Sequence, residues 1–327
     1  MFRLDDTWVT SPTDLVGALR CEYGFLRIRA EKAGLVAPLQ PEDDPLLARA
    51  AKLGDAHEAR TLERLIATYG RGTVGEPGGV VEIERPSTRS RAELEAAHAA
   101  TAAALAGGAE VVFQAAFFDG RRHGLADFVV RVGDGDADGL PAYEPADTKL
   151  ARQAKVEALL QVADYAEHLI DLGHPEPRDV HLWLGDGSAS THRLADLRPI
   201  LLDRRARIDE LLALEVAVPT WGDPTLRHCR WCDHCRAAIA EHRDLWLVAG
   251  MRPEARHRLS EAGVATIDAL AAATEAPPGV SAAQFDKLHA QAALQVAQDA
   301  TRTDDDPVGD LSWELIDGSP IARLPAP

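Results

Sequence analysis

The sequence has few cationic residues, few cysteines and no long apolar run. Its 35 Lys and Arg residues are outnumbered by 52 Asp and Glu residues, which gives a formal net charge of −17. This balance argues against a surface that binds polyanions everywhere, so a nucleic-acid path is expected to be a local groove. No stretch approaches the roughly 18 apolar residues of a membrane span, and the N-terminus does not match a secretory signal. The sequence therefore predicts a cytoplasmic protein.

The length and composition predict a folded chain with more than one domain. Hydrophobic residues make up 46% of the 327 residues, enough to bury a substantial core, and the length suits about two domains. We expect a first domain over residues 1–244, a helical region over 245–302 and a linker or tail over 303–327. The tail contains no closing element, which suggests that a further C-terminal domain or a helicase partner follows.

Hydrophobic periodicity and turn residues predict an α/β fold with a mixed sheet flanked by helices. A helix is expected to begin after Ser11 and to include Cys21. Further helices are predicted over residues 46–69, 90–105, 151–172 and 194–214. Strands are predicted over residues 111–118, 125–132, 142–148 and 180–184. Pro145 indicates that the third strand lies at an edge or contains a bulge.

Two carboxylates and an amine are predicted to meet at one edge of this sheet. Asp147 and Lys149 flank Thr148, and the alternation of side chains along a strand places them on the same face. Asp127 lies on the preceding strand. Such a group can hold a divalent metal ion and activate a water molecule, which is the chemistry needed to cut a phosphodiester. An isolated Asp-x-Lys is more often a solvated ion pair, so the prediction of a catalytic site depends on the residues around it.

The cysteine spacing indicates a metal site. The four cysteines are Cys21, Cys229, Cys232 and Cys235. Three of them fall in one short run, which is unlike the disulfide framework of a secreted protein. A C-x-x-C-x-x-C run with one remote cysteine suits a [4Fe–4S] cluster with a structural role. Zn²⁺ is the alternative, bound by all four thiolates or with His228 or His234 replacing one of them.

Together these residues resemble the RecB-type branch of the PD-(D/E)xK nucleases. The resemblance is closest to its iron–sulfur members, the CRISPR-associated exonucleases and the AddB nuclease module, and it covers about residues 8 to 240. The motifs occur in the family's order: Gly54-x-x-His57-Glu58, Asp127, Asp147-Thr148-Lys149 and Gln161-x-x-x-Tyr165. The chain departs from the commonest family pattern at Cys235, which in that pattern lies further along. The resemblance implies a restriction-endonuclease-like sheet and a cluster held by the four cysteines.

The resemblance also implies a divalent metal site. Asp127 and Asp147 would supply carboxylate oxygens, Thr148 its backbone carbonyl and His57 an imidazole, and together they would hold Mg²⁺ or Mn²⁺. Lys149 would orient or deprotonate the attacking water and stabilise the transition state.

The remaining site residues are expected to position the substrate. Gln161 and Tyr165 lie about one turn apart on the following helix, so both can face the site and hold the substrate or Lys149. Arg152 and Lys155 would meet the phosphate backbone. Glu58 is a weaker metal-ligand candidate than His57, because its side chain leaves the same helix turn in another direction.

The C-terminal region carries a second, less specific motif. Residues 259–266 are predicted to join two short helices through a turn at Gly263. This resembles a helix-hairpin-helix, in which turn amides bind phosphates as helix N-termini do. An ordinary pair of helices has the same pattern.

The combined reading is a metal-dependent deoxyribonuclease. It would hydrolyse DNA phosphodiester bonds as an exonuclease that favours single-stranded ends, in DNA repair or recombination. The alternative is a non-catalytic iron–sulfur or zinc scaffold that binds nucleic acid as part of a larger nuclease or helicase. The sequence leaves open the polarity of cleavage, the choice between DNA and RNA, and the choice between end and internal attack.

Overall fold

The computed structural model describes residues 1–40, 44–135, 139–215 and 217–313. The chain divides into two compact units, Met1–His228 and Cys229–Pro327. This division falls before residue 244, where the sequence placed a domain boundary. Most of the predicted tail, from residue 314 onward, lies outside the described residues.

A mixed β-sheet forms the centre of the first unit. The strands are β1 (Phe2–Leu4), β2 (Thr7–Val9), β3 (Val80–Glu82), β4 (Val111–Phe118), β5 (His123–Gly133), β6 (Ala142–Lys149), β7 (Asp179–Leu184) and β8 (Ala189–Arg193). β1 and β2 form a separate hairpin, whereas β3 to β8 form a six-stranded sheet in sequential order. Only the β3–β4 and β6–β7 pairs are parallel. The predicted mixed α/β class is confirmed at this level.

Among the described residues of the first unit, six helices accompany the strands. They are α1 (Pro12–Arg20), α2 (Glu22–Lys32), α3 (Pro45–Tyr69), α4 (Arg91–Ala106), α5 (Val156–Asp171) and α6 (Leu194–Ala213). The four predicted strands and five predicted helices are therefore present, with small changes of boundary. The sequence missed α2 and the strands β1, β2, β3 and β8, most of which are too short for a clear periodicity.

Cys21 lies between two helices and not inside one, contrary to the prediction. It has an extended backbone, with φ −158° and ψ 104°, so it ends α1 and caps α2. Its sulfur accepts a hydrogen bond from the Gly24 amide at 3.2 Å. The chain therefore turns at Cys21.

Pro145 does not place its strand at an edge, so the first of the two alternatives predicted for it is wrong. β6 lies between β5 and β7. Pro145 pairs with Val129 of β5, one residue before β6 starts to pair with β7 at Ala146. The missing amide of the proline therefore lies outside the β6–β7 ladder. The irregularity of this strand pair lies instead near Arg131 and Gly133.

Apolar side chains of the helices cover the sheet. Leu160 of α5 and Leu182 of β7 belong to one cluster, and each is fully buried. Leu105 of α4 and Phe117 of β4 belong to a second. Burial of one such side chain contributes about 1.5–3 kcal/mol. These clusters hold the helices against the strands that carry the predicted site.

The second unit is helical within its described residues. It contains α7 (Asp233–Glu241), a short 3₁₀ turn (Leu245–Leu247), α8 (Pro253–Glu261), α9 (Ile267–Ala272) and α10 (Ala282–Asp299). Gly263, with φ +85°, lies in the turn between α8 and α9. The Thr266 side chain then caps α9 by accepting from the Ala269 amide at 3.1 Å. Among the described residues of the whole chain, no helix has the length and apolar character needed to cross a membrane.

A methyl group at Gly124 is expected to destabilise the first unit. A Cβ built there would lie 2.8 Å from Cε1 of the buried Tyr165 ring, and overpacking of this kind costs about 1–3 kcal/mol. Gly124→Ala should lower the free energy of unfolding in urea by that amount. Gly17→Ala is the control, because a Cβ at Gly17 of α1 meets no atom within 4 Å and should stabilise the helix slightly. Equal effects of the two substitutions would contradict this account.

Candidate active site

Two acidic residues face each other on neighbouring strands of the sheet. β5 and β6 are antiparallel with Phe128 opposite Ala146, so Asp127 and Asp147 occupy opposing positions. The backbone amide and the hydroxyl of Thr148 both donate to Asp127 Oδ2, each at 2.8 Å. Sheet register and these two hydrogen bonds thus fix the Asp127 carboxylate beside the end of β6.

Lys149 completes this group. Its ammonium forms an ion pair with Asp147 Oδ2. The Asp147 side chain is 6% exposed and that of Lys149 is 35% exposed, so the acid is buried and the amine reaches toward solvent. The structure therefore brings Asp127, Asp147 and Lys149 together at one point, as the alternation of side chains on β6 predicted.

Without a metal ion, the proximity of Asp127 and Asp147 is electrostatically unfavourable. Burial raises the pKa of Asp147 well above its usual range, and the charge and hydrogen bonding of Asp127 raise it further. Lys149 offsets only part of this rise. Burial acts to lower the pKa of Lys149, but the charges of Asp147, Asp127 and Glu58 outweigh it and raise the pKa. Lys149 is thus an ammonium in the metal-free protein.

Glu58 supplies a third carboxylate at this site. Its side chain accepts a hydrogen bond from the Gln114 amide group. Burial raises the pKa of Glu58, and the charge of Asp127 contributes in the same direction. Glu58 is therefore closer to the acid pair than the sequence argument, which favoured His57, had suggested.

Gln114 was not among the site residues predicted from the sequence. It lies on β4 between residues that pair with Phe128 and Ala126, so it stands opposite Asp127. Its φ of +52° is unusual for a strand residue other than glycine. The available signal was a single amide side chain within the apolar segment 111–118. Gln114 links α3, through Glu58, to the strand that faces Asp127.

His57 is directed elsewhere in this structure. Its Nε2 lies 3.3 Å from the backbone carbonyl oxygen of Trp183 on β7. With Arg64 and Trp183 it lines a cavity between α3 and the β7–β8 hairpin. No hydrogen bond or ion pair to Asp127 or Asp147 is found for its ring among the described residues.

The two predicted residues of α5 differ in their surroundings. Tyr165 is buried, and its ring stacks on Phe117 with centroids 6.4 Å apart. Burial raises the pKa of Tyr165 well above its usual range, with further contributions from the charges of Asp147 and Asp127. The phenol is therefore a neutral neighbour of the acids. Gln161, one turn earlier, is half-buried.

Three cationic side chains are candidates for contact with phosphate. Arg152 and Lys155 are exposed on the loop that follows Lys149. Arg85, which the sequence argument did not include, follows β3 and is exposed. Burial raises the pKa values of Glu58 and Tyr165, and the charge of Arg85 opposes part of this rise. Of the three, Arg85 is the one whose charge acts on residues of the acid group.

The cysteines form a separate group. The sulfur atoms of Cys21, Cys229, Cys232 and Cys235 all lie within 4.8 Å of one another. Cys229 Sγ accepts hydrogen bonds from the amides of Trp231 and Cys232 at 3.3 and 3.2 Å. Four sulfur donors this close fit a metal ion or an iron–sulfur cluster. The histidine substitutes considered for zinc are not in this group, and the His228 ring packs on Trp221.

Comparison of the sequence with models of protein families finds no match. Comparison with curated proteins finds no significant similarity. The site is therefore interpreted from its own geometry and chemistry.

Asp147→Asn is expected to stabilise the metal-free protein at neutral pH. A carboxyl group with a raised folded-state pKa contributes stability below its unfolded pKa, and this contribution is lost as pH rises through the folded value. The stability that this group contributes to the unsubstituted protein should fall as the pH rises above the unfolded-state pKa of aspartate, about 3.9, because the folded-state pKa is raised. The amide variant should show no such loss.

Urea denaturation in EDTA measures this difference. The advantage of the variant should grow with pH and reach the order of 1 kcal/mol. Asp134→Asn is the control, because that exposed side chain lies outside the acid group. An advantage that stays constant or shrinks as pH rises would contradict the account of the acid pair.

Proposed function

We propose that the chain is a metal-dependent nuclease of the RecB-type PD-(D/E)xK kind, which hydrolyses DNA and favours single-stranded ends. One observation carries the proposal: β5 and β6 set Asp127 opposite Asp147 while Lys149 pairs with Asp147. The restriction-endonuclease-like fold belongs to the same proposal. It is supported by the β4–β5–β6 meander followed by the parallel strand β7.

The acid group fits a hard divalent cation. Asp127, Asp147 and Glu58 present oxygen atoms, the donor type that Mg²⁺ and Mn²⁺ prefer. Burial, and after it the negative charge of Asp127, raises the pKa values of Asp147 and Glu58. A bound cation would relieve the repulsion between these carboxylates. Such an ion supplies Lewis acidity and lowers the pKa of a bound water. The resemblance adds the Thr148 carbonyl and His57 to the ligand set, whereas the geometry favours Glu58 from the same helix turn.

The protein's own residues would orient the reaction. Lys149 is cationic, so it would attract a phosphate oxygen and stabilise the negative charge that develops during hydrolysis. Thr148 holds the Asp127 carboxylate by two hydrogen bonds. Tyr165 stays protonated and can donate a hydrogen bond. Gln161 on the same helix would contact the substrate.

Substrate binding would use local positive charge. Arg85, Arg152 and Lys155 would contact backbone phosphates, and such contacts weaken as salt displaces them. The turn at Gly263 between α8 and α9 is proposed as a helix-hairpin-helix contact to phosphates.

The cysteine group is proposed to hold a [4Fe–4S] cluster, which the C-x-x-C-x-x-C run favours. Zn²⁺ is the second candidate, and one observation favours it. A tetrahedral ion with Zn–S bonds of about 2.3 Å separates its sulfurs by about 3.8 Å, within the 4.8 Å limit of this group.

Metal analysis of anaerobically purified protein distinguishes the two. We expect a brown protein with about four irons and four labile sulfides per chain. Cys232→Ser should lower this content, whereas Ser90→Ala, in a helix cap of the first unit, should not. A colourless protein with one zinc per chain would contradict the cluster and establish the alternative.

Loss of the central acid is expected to abolish cleavage. Asp147→Ala should reduce hydrolysis of end-labelled single-stranded DNA in Mn²⁺ by about 10²–10⁴-fold. Asp134→Asn is the matched control, because it removes an exposed acid of the first unit, and its activity should be unchanged. Glu58→Gln and His57→Gln, assayed in parallel, show which of the two contributes a ligand, by the rise in the Mn²⁺ concentration needed for activity.

Two outcomes would defeat the proposal. Cleavage retained by Asp147→Ala would show that another centre or a contaminant is responsible. Binding of DNA without cleavage by the unsubstituted protein, with the metal supplied, would favour the non-catalytic scaffold.

A further inference from the structure

Trp231 is an exposed indole in the cysteine loop. Its residue exposure is 73%, although it lies between Cys229 and Cys232, whose spacing constrains the backbone. Its amide donates to Cys229 Sγ at 3.3 Å. The side chain is therefore presented to solvent from a backbone that is held in place.

Two arginines and Trp246 form a series of cation–π contacts that ends at Trp231; this series is called the stack below. The Arg230 guanidinium lies 5.3 Å from the Trp231 ring centroid and 4.1 Å from that of Trp246. The Arg256 guanidinium lies 5.5 Å from the Trp246 centroid. Arg256 is held in turn by the buried Asp244, with Nε and Oδ1 2.8 Å apart. Cation–π contacts of this type order both partners.

Arg230 is the key residue of this stack. Its φ of +73° is uncommon for a residue other than glycine. Within the described part of the chain no ion-pair partner is found for it, and its guanidinium lies over the faces of two indoles. An indole that lies next to an uncompensated cation is suited to a ligand with an aromatic ring and a neighbouring negative charge.

An unpaired nucleotide has both features. Its base offers a π face for stacking, and its phosphate offers the negative charge. The sequence around the loop agrees with this chemistry, because residues 227–260 contain seven arginines and four acids in a chain whose net charge is −17. Charge complementarity thus favours nucleic acid over a generic apolar partner.

We propose that Trp231, ordered by Arg230, is a platform on which an unpaired base of a single-stranded nucleic acid stacks. The proposal deepens the proposed function by naming a single-strand contact, and it rests on that function for the nature of the substrate. Base-paired DNA cannot use the platform, because its bases already stack on each other.

The test measures binding separately from cleavage. The binding assay uses the full chain with its metal bound and with the Asp147→Ala substitution. The affinity of this parent protein for a labelled oligo-dT is followed by fluorescence anisotropy. Trp231→Ala should weaken binding by about 5- to 150-fold, as expected for loss of one aromatic–base stack. Trp231→Phe, which keeps an aromatic ring, should retain most of the affinity.

Trp313 provides the matched control. It is 83% exposed in the same unit and has no part in the stack. Trp313→Ala should bind oligo-dT with an affinity within about twofold of the parent. Oligo-dT should quench the tryptophan fluorescence of Trp313→Ala, and this quenching should be smaller when Trp231 is also replaced by Phe. Duplex DNA affinity should be the same in all variants.

Equal oligo-dT affinities of the parent, Trp231→Ala and Trp231→Phe proteins, with unchanged metal content, would overturn the platform and leave a protein-facing role for the indole. If Trp231→Ala loses its metal, the affinity of Trp231→Phe and the fluorescence quenching test the platform instead. Absence of quenching at Trp231 would then overturn the platform. Trp231-dependent binding without any cleavage by the protein with Asp147 intact would sustain the platform and defeat only the nuclease.

Discussion

The contact between Asp127 and Asp147 is the constraint on which the candidate site depends. The antiparallel register of β5 and β6 sets the two carboxylates opposite each other, with Asp147 buried and Asp127 half-buried. A single ammonium, from Lys149, compensates part of their charge. The protein therefore holds a local excess of negative charge, which a divalent cation would neutralise.

The surrounding structure maintains this unfavourable arrangement. Thr148 anchors Asp127 through its amide and hydroxyl, and Gln114 holds Glu58 from the opposite strand. Buried apolar side chains of α4 and α5 secure the strands themselves. Stability gained in the core thus offsets electrostatic repulsion at the site, a division that is common where a protein keeps charged groups ready for a ligand.

The second unit adds a different kind of preorganisation. Its described helices, apart from α10, are short, and an apolar cluster packs them together. Ion pairs and ring contacts, such as the pair between Asp244 and Arg256, add to this order. The same pair supports the stack that ends at Trp231. An acidic chain can in this way present a small cationic and aromatic surface, because local order concentrates charge that the overall composition lacks.

Local patterns in the sequence determined the order of helices and strands, the α/β class, the neighbouring positions of Asp147 and Lys149, and the candidate status of the four cysteines. These features depend on spacing along one element or one loop. Tertiary structure alone decided that β6 is central despite Pro145, that Cys21 separates two helices, and that Glu58 rather than His57 lies near Asp127. Gln114 and Arg230 also became visible only in three dimensions. The physical reason is that these properties depend on which distant segments pack together and on the rotation of α3 against the sheet, and a linear pattern does not encode either.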